Sequence, residues 1–389
     1  MPSDPANTPV VGAAQRQAAD RWFLAHGLPA VLRPGRLVRR LWSRSAPALA
    51  SFAVLMANTV AVVSLTGKHA VDIDGRPTRG EWFVLAMLVL VLPVAATVGW
   101  WVSRIASQHG RLLAAAGSVA VACYGAVFGG PSPYLLKNFV LVAVCVALIL
   151  LLTACGVGSI LGWAAHVTLS HLAAAGSLLL RALPVLLLTF LVFFNSPVWL
   201  MAATISRARL WLALWFLAAI AVAFVVSVTV DRMRPMVNAA EPDAQHIAKL
   251  EGTPFASMLD PLEVKALSRA ERTNVYFVLA VSQLAHILVV AVVTALLFLV
   301  LGLILLSPDV LAAWTRNGSS DGHFLGMTIP VPEALIQVTL FLGALTFMYV
   351  SARAVGDDAY RDRFVDPLID DLRLTLTARN RYRAAVPAR

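Results

Sequence analysis

The chain has 389 residues, 59% of them hydrophobic and only 13% charged, with a mean hydropathy of +0.78. Soluble domains carry about 45–50% apolar and about 25% charged residues, so this composition fits lipid as the solvent. A net charge of +10 can signal nucleic acid, but cations gathered on one side of a membrane account for it more simply, and no nucleic-acid partner is expected.

Residues 1–45 read as a cytosolic basic N-terminal arm without a cleavable signal pattern, so the first apolar segment is expected to be retained as a helix. In "RPGRLVRRLWSRS" (33–45), Arg33, Arg36, Arg39, Arg40 and Arg44 are expected to bind the anionic inner leaflet, each contributing about 1 kcal/mol. Trp22, Phe23 and Trp42 would sit at headgroup depth.

A bilayer core of about 30 Å is crossed by roughly 20 apolar residues in a helix. About eight such segments follow: 46–66, 82–103, 112–129, 139–161, 182–204 and 208–230 in the region 46–230, then 275–306 and 333–352 in the region 275–352. The third is short and rich in Ala and Gly, which suits close helix packing, and its full passage is left open. The seventh is too long for a bilayer and must tilt or extend into the cytoplasm. Segment 162–181 is amphipathic and is expected along the inner interface or as a prolongation of the fourth helix. Residues 67–81 and 307–331 read as external loops from their Asp-Gly, Asn-Gly and Pro signals, 231–274 as a cytosolic loop, and 353–389 as a cytosolic helix and tail. The expected fold is all-α: a polytopic transmembrane helical bundle with an interfacial helix and a cytosolic amphipathic C-terminal helix.

With the N-terminus inside, 24 of the 31 Lys and Arg residues fall on the inner side and 7 outside: Lys68, Arg76, Arg79, Lys137, Arg207, Arg209 and Arg316. This asymmetry places both termini in the cytoplasm. Arg207 and Arg209 fit it poorly, which keeps open a re-entrant path for 182–204.

Several segments carry a resemblance: "DRWFLAHGLP" (20–29), "ALPVLLLTFLVFFNSPVWLMA" (182–202), "LEGTPFASM" (250–258), "LSRAERTNVYFVLAVSQLAHILVV" (267–290) and "DDAYRDRFVDPLIDDLRLTLTARNRY" (357–382). Together and in this order they resemble an uncharacterised multi-pass membrane protein family of high-GC Gram-positive bacteria. The resemblance implies a plasma-membrane location and an all-helical fold, and nothing about activity. It also leads to an acidic residue after the polar position of the fifth span, where this chain has Ser196 and Pro197.

Four groups of residues are candidates for chemistry. Asn195, Ser196 and Pro197 interrupt the fifth span. Pro197 removes a backbone donor and frees the carbonyl four residues back, which in lipid must find another partner. Asn195 is expected to point into the bundle, bonded to Gln283 or to that carbonyl. The break reads either as a discontinuous helix lining a solute site or as a kink or the outer end of the span. Gln283 and His286 share one helix face and read as a polar intramembrane site with a proton-relay histidine, or as packing. His166 and His171 have the spacing of one histidine box, but no second box exists. Asp358, Asp362, Asp366 and Asp370 step along one face of an amphipathic tail helix, opposite Phe364, Leu368 and Leu372. Cys123, Cys145 and Cys155 match no metal or redox motif and read as small buried hydrophobes.

No P-loop, zincin motif, nucleophile elbow or dinucleotide fingerprint is present. The expectation is therefore a non-enzymatic membrane protein without cofactor or metal. A scaffold or accessory subunit, recruiting a protein partner through the cytosolic tail and loop, is the leading reading. A transporter or permease with a polar site near Asn195, Ser196, Gln283 and His286 is the alternative.

Overall fold

The computed structural model describes residues 12–32, 40–67, 77–130, 134–170, 189–238, 248–258, 266–316, 321–324, 327–354 and 366–385. Seven of its helices are long and apolar enough to cross a membrane. The elements fall into two helical units joined by one short helix.

The first unit holds α2 (Leu41–Thr66), α3 (Arg79–Ser103), α4 (Gln108–Phe128) and α5 (Leu135–Ala154). Each boundary has a local cause. Thr78 and Glu81 form a reciprocal capping box that starts α3, Ser107 caps α4, and Gly67 ends α2 in the left-handed conformation. α2 is the central member and packs along the other three. The contacts are made by small residues: a Cβ on Gly125 would come within 2.8 Å of Met56 Cβ, and Gly99 lies against Ser51 and Pro47. Ser51 Oγ donates across to Ala95 C=O at 2.8 Å, and Asn138 Nδ2 donates to Ala126 C=O at 3.2 Å. The Ala- and Gly-rich third segment is thus a continuous helix of 21 residues, and its composition serves close packing.

The second unit holds α7 (Ser196–Thr204), α8 (Arg207–Asn238), α9 (Arg269–Leu305), α10 (Pro308–Thr315) and α11 (Glu333–Ala354). α9 opens on a capping box between Ser268 and Glu271 and runs 37 residues. At 1.5 Å per residue that is about 55 Å, so it extends well beyond a bilayer core, as its overlong segment requires. It lies antiparallel to α11, with Gly302 against Leu335 and Gly343 against Ala295. α8 runs with α11, tied to it at their first turns by Arg207 and Glu333. The 307–331 loop contains structure of its own: α10 and the antiparallel hairpin β1 (Asp321–Phe324) and β2 (Met327–Pro332).

Between the units, α6 (Val157–Ser170) follows α5 after a turn at Gly156, whose φ is +77°. It neither prolongs α5 nor stands alone: it packs on α9 and on α1 (Ala13–Ala25). Residues 171–181 of the interfacial segment and 182–188 of the fifth span lie outside the described residues.

The largest apolar cluster lies at the end shared by the termini. α1, the turns of 248–258, the base of α9 and α12 (Asp366–Ala385) bury Phe23, Leu250, Phe255, Leu279, Leu372 and Tyr382 together. Trp22, Phe23, Phe255 and Tyr382 form edge-to-face and tilted ring contacts 5.0–6.5 Å apart. Phe23 is completely buried, so it is a core residue rather than a headgroup anchor. Tyr382 Oη donates to Asp20 at 2.8 Å, and Asn274 Nδ2 donates to Gly27 C=O at 3.0 Å. Burial pushes the Asp371 carboxyl above the usual carboxylate range, opposed by the charge of His26 and a hydrogen bond from Trp163, so α12, α1 and α6 meet at this residue. The N-terminal arm is therefore a folded helix docked on the tail. Arg33, Arg36 and Arg39 lie outside the described residues, as do Asp358, Asp362 and Phe364. The cysteines depart from expectation: Cys123 and Cys145 are half-buried, Cys155 is exposed, and all three are free thiols.

Candidate functional site

The break in the fifth span is a helix start. Residues 189–193 are helical, the chain leaves the helix at Phe194 and Asn195, and α7 begins at Ser196 with Pro197 in its first turn. Proline suits that position because its fixed φ is pre-set for a helix and its missing N–H is not needed there. Asn195 is the N-cap residue but makes no side-chain capping bond, and both Asn195 and Ser196 face outward from the bundle. The carbonyl that Pro197 leaves without its helical donor belongs to Phe193. The indole Nε1–H of Trp199 donates to it, and both residues are fully buried. The expectation that Asn195 points inward to satisfy this carbonyl is corrected: Trp199 does so. A tryptophan two residues after a proline carries no sequence signal for that role.

Asn195 also lies at the end of the bundle away from the terminal helices. Phe194 and Trp199 meet Trp314 of α10, the helix that follows α9, edge-to-face and tilted, at 6.3 and 5.8 Å between ring centroids. Phe193 meets Phe298 at 5.2 Å. Gln283 lies fifteen residues before Phe298 on the same helix, about 22 Å along its axis. Asn195 and Ser196 therefore do not join Gln283 and His286 in one site.

Gln283 and His286 lie in the first half of α9, toward the terminal helices. Gln283 Nε2 donates to Thr229 Oγ1 of α8 at 3.3 Å. His286 is buried, and its Nδ1–H donates to Ser282 C=O at 2.7 Å. Next to them, Val225, Ala280 and Ile287 close the contact between α8 and α9, with Phe347 and Val350 of α11 against them.

Further polar groups line the same unit. Thr294 on α9 and Gln337, Thr339, Thr346 and Ser351 on α11 are all buried. Thr294 Oγ1, Gln337 Oε1, Thr339 Oγ1, Thr346 Oγ1 and Ser351 Oγ have no hydrogen-bond partner among the described residues. Thr294 precedes Ala295, which faces Gly343, and Gly343 stands between Thr339 and Thr346 on α11. At the start of α11, Gln337 Nε2 donates to Glu333 Oε1 at 2.9 Å, and Glu333 takes two bonds from Arg207 at 2.7 and 2.8 Å. This pair gives Arg207, at the start of α8, a partner inside the chain. Single hydroxyls in apolar runs give sequence reading little to act on, because a threonine ordinarily satisfies itself on its own helix.

At the start of α9, Glu271 is buried beside the buried Arg379 and the half-buried Arg383 of α12. Arg379 holds it with Nε at 3.1 Å and Nη2 at 2.8 Å, and Arg383 adds a contact at 3.2 Å. Leu368, Leu372 and Leu376, the apolar stripe of the tail helix, are buried against this assembly, while Asp370 and Arg373 stay outside. His166 lies in α6 and His171 lies outside the described residues. Among the described residues no three His, Cys, Asp or Glu side chains gather as metal ligands do.

No family model matches the chain, and no curated protein or solved structure is similar to it.

Proposed function

We propose that this is a non-enzymatic plasma-membrane transport protein that crosses the bilayer eight times, with both termini in the cytosol. The bond between Tyr382 and Asp20 keeps the terminal helices on one side, which requires an even number of crossings. Seven apolar helices are odd in number. The eighth passage falls in 157–204, since Trp163 of α6 lies against Gly27 at the terminal end and Phe193 lies at the opposite end beside Phe298. The excess of cations at the terminal end makes that end cytosolic.

The observation that carries the transport reading is the set of buried oxygens on α9 and α11 that have no partner among the described residues, with Thr339 and Thr346 on the face of α11 toward α9 and Gln337 and Ser351 on its opposite face. From Gln337 to Ser351 it covers fourteen residues, about 21 Å of the roughly 30 Å hydrocarbon. Buried polar atoms are almost always satisfied, and those that are not call for a water or an ion. Polar groups inside a membrane protein mark the path of a hydrophilic species. The second unit then works as a hydrated file for a small polar solute or ion, passing Gln283 and His286 near its inner mouth. The test is the purified chain in liposomes, with proton flux read by an entrapped pH dye under a potassium–valinomycin potential and water flux by stopped-flow light scattering. One of the two should exceed empty liposomes and fall about tenfold in the Thr294→Val, Thr346→Val double variant. Fluxes equal to empty liposomes for both probes would overturn the file.

A scaffold role draws on a different observation. α12 keeps Asp370 and Arg373 exposed, a charged face on which a protein partner has room to dock. Its apolar face is covered by the chain itself. Recovery of the same partners from native membranes by an Asp370→Asn, Arg373→Gln variant would remove that face from the reading.

A further inference from the structure

The helices of the first unit carry one carboxylate, Glu81, at the start of α3 and away from the α3–α4 turn. Residues 82–230 contain no Asp or Glu, and neither do residues 21–71. Elsewhere arginines are paired inside the chain, the exposed Arg207 with Glu333 and the buried Arg379 of α12 with Glu271. The inner rim of the first unit has no such anion within its own sequence.

Four arginines converge on that rim. Pro47 and Ser51 face α3, against Gly99 and Ala95. One turn toward the start of α2 the same helix face carries Arg44, and Arg40 stands at the N-cap just outside the helix, at the end of the unit where α3 ends. There Arg104 lies over the Trp100 ring at 3.9 Å. Arg111 of α4 reaches back to the carbonyls of Ile105 and Ser103 at 2.7 and 2.9 Å, fixing the turn between α3 and α4. Arg40, Arg104, Trp42, Trp100 and Trp101 are all exposed. Indoles beside guanidinium groups at a helix end are the side chains that settle at the headgroup level of a bilayer.

We propose that this rim is a binding site for the headgroup of an anionic phospholipid. The lipid phosphate is held by the guanidinium groups of Arg40 and Arg104, and the lipid glycerol region rests on Trp100. Guanidinium is suited to this because its planar fork matches the phosphate oxygens. Charge complementarity selects the occupant: an exposed cationic rim at the edge of the hydrocarbon, on a unit with no carboxylate there, meets lipid phosphate before any other anion. An anionic lipid is preferred over a zwitterionic one because the choline of the latter brings a second cation to the same place.

The experiment uses the full chain purified in a maltoside detergent. Phosphatidylglycerol, phosphatidylcholine and inorganic phosphate are added separately. Retained lipid is read by native mass spectrometry and stability by thermal unfolding. Phosphatidylglycerol should be retained and raise the unfolding temperature, and phosphatidylcholine should do neither. Arg40→Gln with Arg104→Gln should weaken phosphatidylglycerol binding at least tenfold and leave the unfolding temperature of lipid-free protein unchanged. Lys137→Gln, at the other end of the unit, should bind as the unmodified chain does. Arg104→Lys, which keeps charge but not the fork, should fall between. Equal retention of phosphatidylcholine, or undiminished binding by the double variant, would overturn the site. The same stabilisation by inorganic phosphate alone would assign the rim to a free anion and overturn the lipid.

Discussion

The two helical units solve the same problem in opposite ways. The first is joined by shape: glycines at positions 99 and 125 let α2 approach its neighbours, and the charges stand at the rims. The second buries threonines, serines, a glutamine and a histidine and holds the buried Glu271–Arg379 pair at one end and the more exposed Arg207–Glu333 pair at the other. Without a strong hydrophobic force between helices in lipid, close van der Waals contact is enough to hold a bundle. The polar groups between the helices of the first unit, such as Asn138 and Ser51, are bonded to neighbouring backbone, whereas several of the second have no partner among the described residues. That difference is what the proposed transport role of the second unit draws on.

The largest expected effect separates the units at their charged base. Glu271→Ala leaves the buried Arg379 without its anion, takes a partner from the half-buried Arg383 and removes the acceptor of the α9 capping box. Breaking a buried pair by removing one partner costs about 3–5 kcal/mol. The variant should release α12 to trypsin and lower the unfolding temperature of the second unit. A tail as protease-resistant as before would show that apolar contacts alone hold it. The matching change in the first unit is Gly125→Val. It drives a branched side chain toward Met56 Cβ, 2.8 Å from the added Cβ, and overpacking of this kind costs about 1–3 kcal/mol. It should disturb the first unit and leave α12 docked. Loss of docking in this variant would mean that the two units fold as one.

How much of this was legible in the sequence depends on the length of the signal. Apolar runs of twenty residues are long enough to outweigh local noise, and six of the expected segments each fall on one apolar helix, most of which begin earlier, as α9 does at Arg269 rather than at 275, while 139–161 is divided at Gly156 between α5 and α6. The Ser268 capping box was present to mark that start. The docking of α1 on α12 was not legible. Phe23 and Tyr382 are separated by most of the chain, and each alone looks like an ordinary interfacial aromatic. The break at Asn195 was visible, yet its meaning was read from the amide rather than from the proline. The partnerless hydroxyls of Thr294, Thr339 and Thr346 were passed over, because in a sequence nothing distinguishes a hydroxyl bonded to its own helix from one left without a partner.

The smallest effect is expected at the residue that drew most attention in the sequence. Asn195 sits at the N-cap of α7 but leaves the first-turn amides to other partners, and its side chain faces outward beside the aromatic layer formed with Trp314. A cap that makes no bond contributes no capping energy to lose. Asn195→Leu should therefore shift stability by no more than about 0.5 kcal/mol, as surface changes do. It should also leave flux through the α9–α11 row unchanged, since the site lies about 22 Å from Gln283 along α9. Trp199→Phe, four residues on, keeps the ring but removes the N–H that serves the Phe193 carbonyl. An acceptor left unsatisfied in a buried place costs about 1–3 kcal/mol. Thermal unfolding of the two variants side by side is the measurement. The Trp199 variant should lose clearly more. The reverse order would mean that Asn195 turns inward in the membrane and that the polar step of the fifth span belongs to the bundle interior after all.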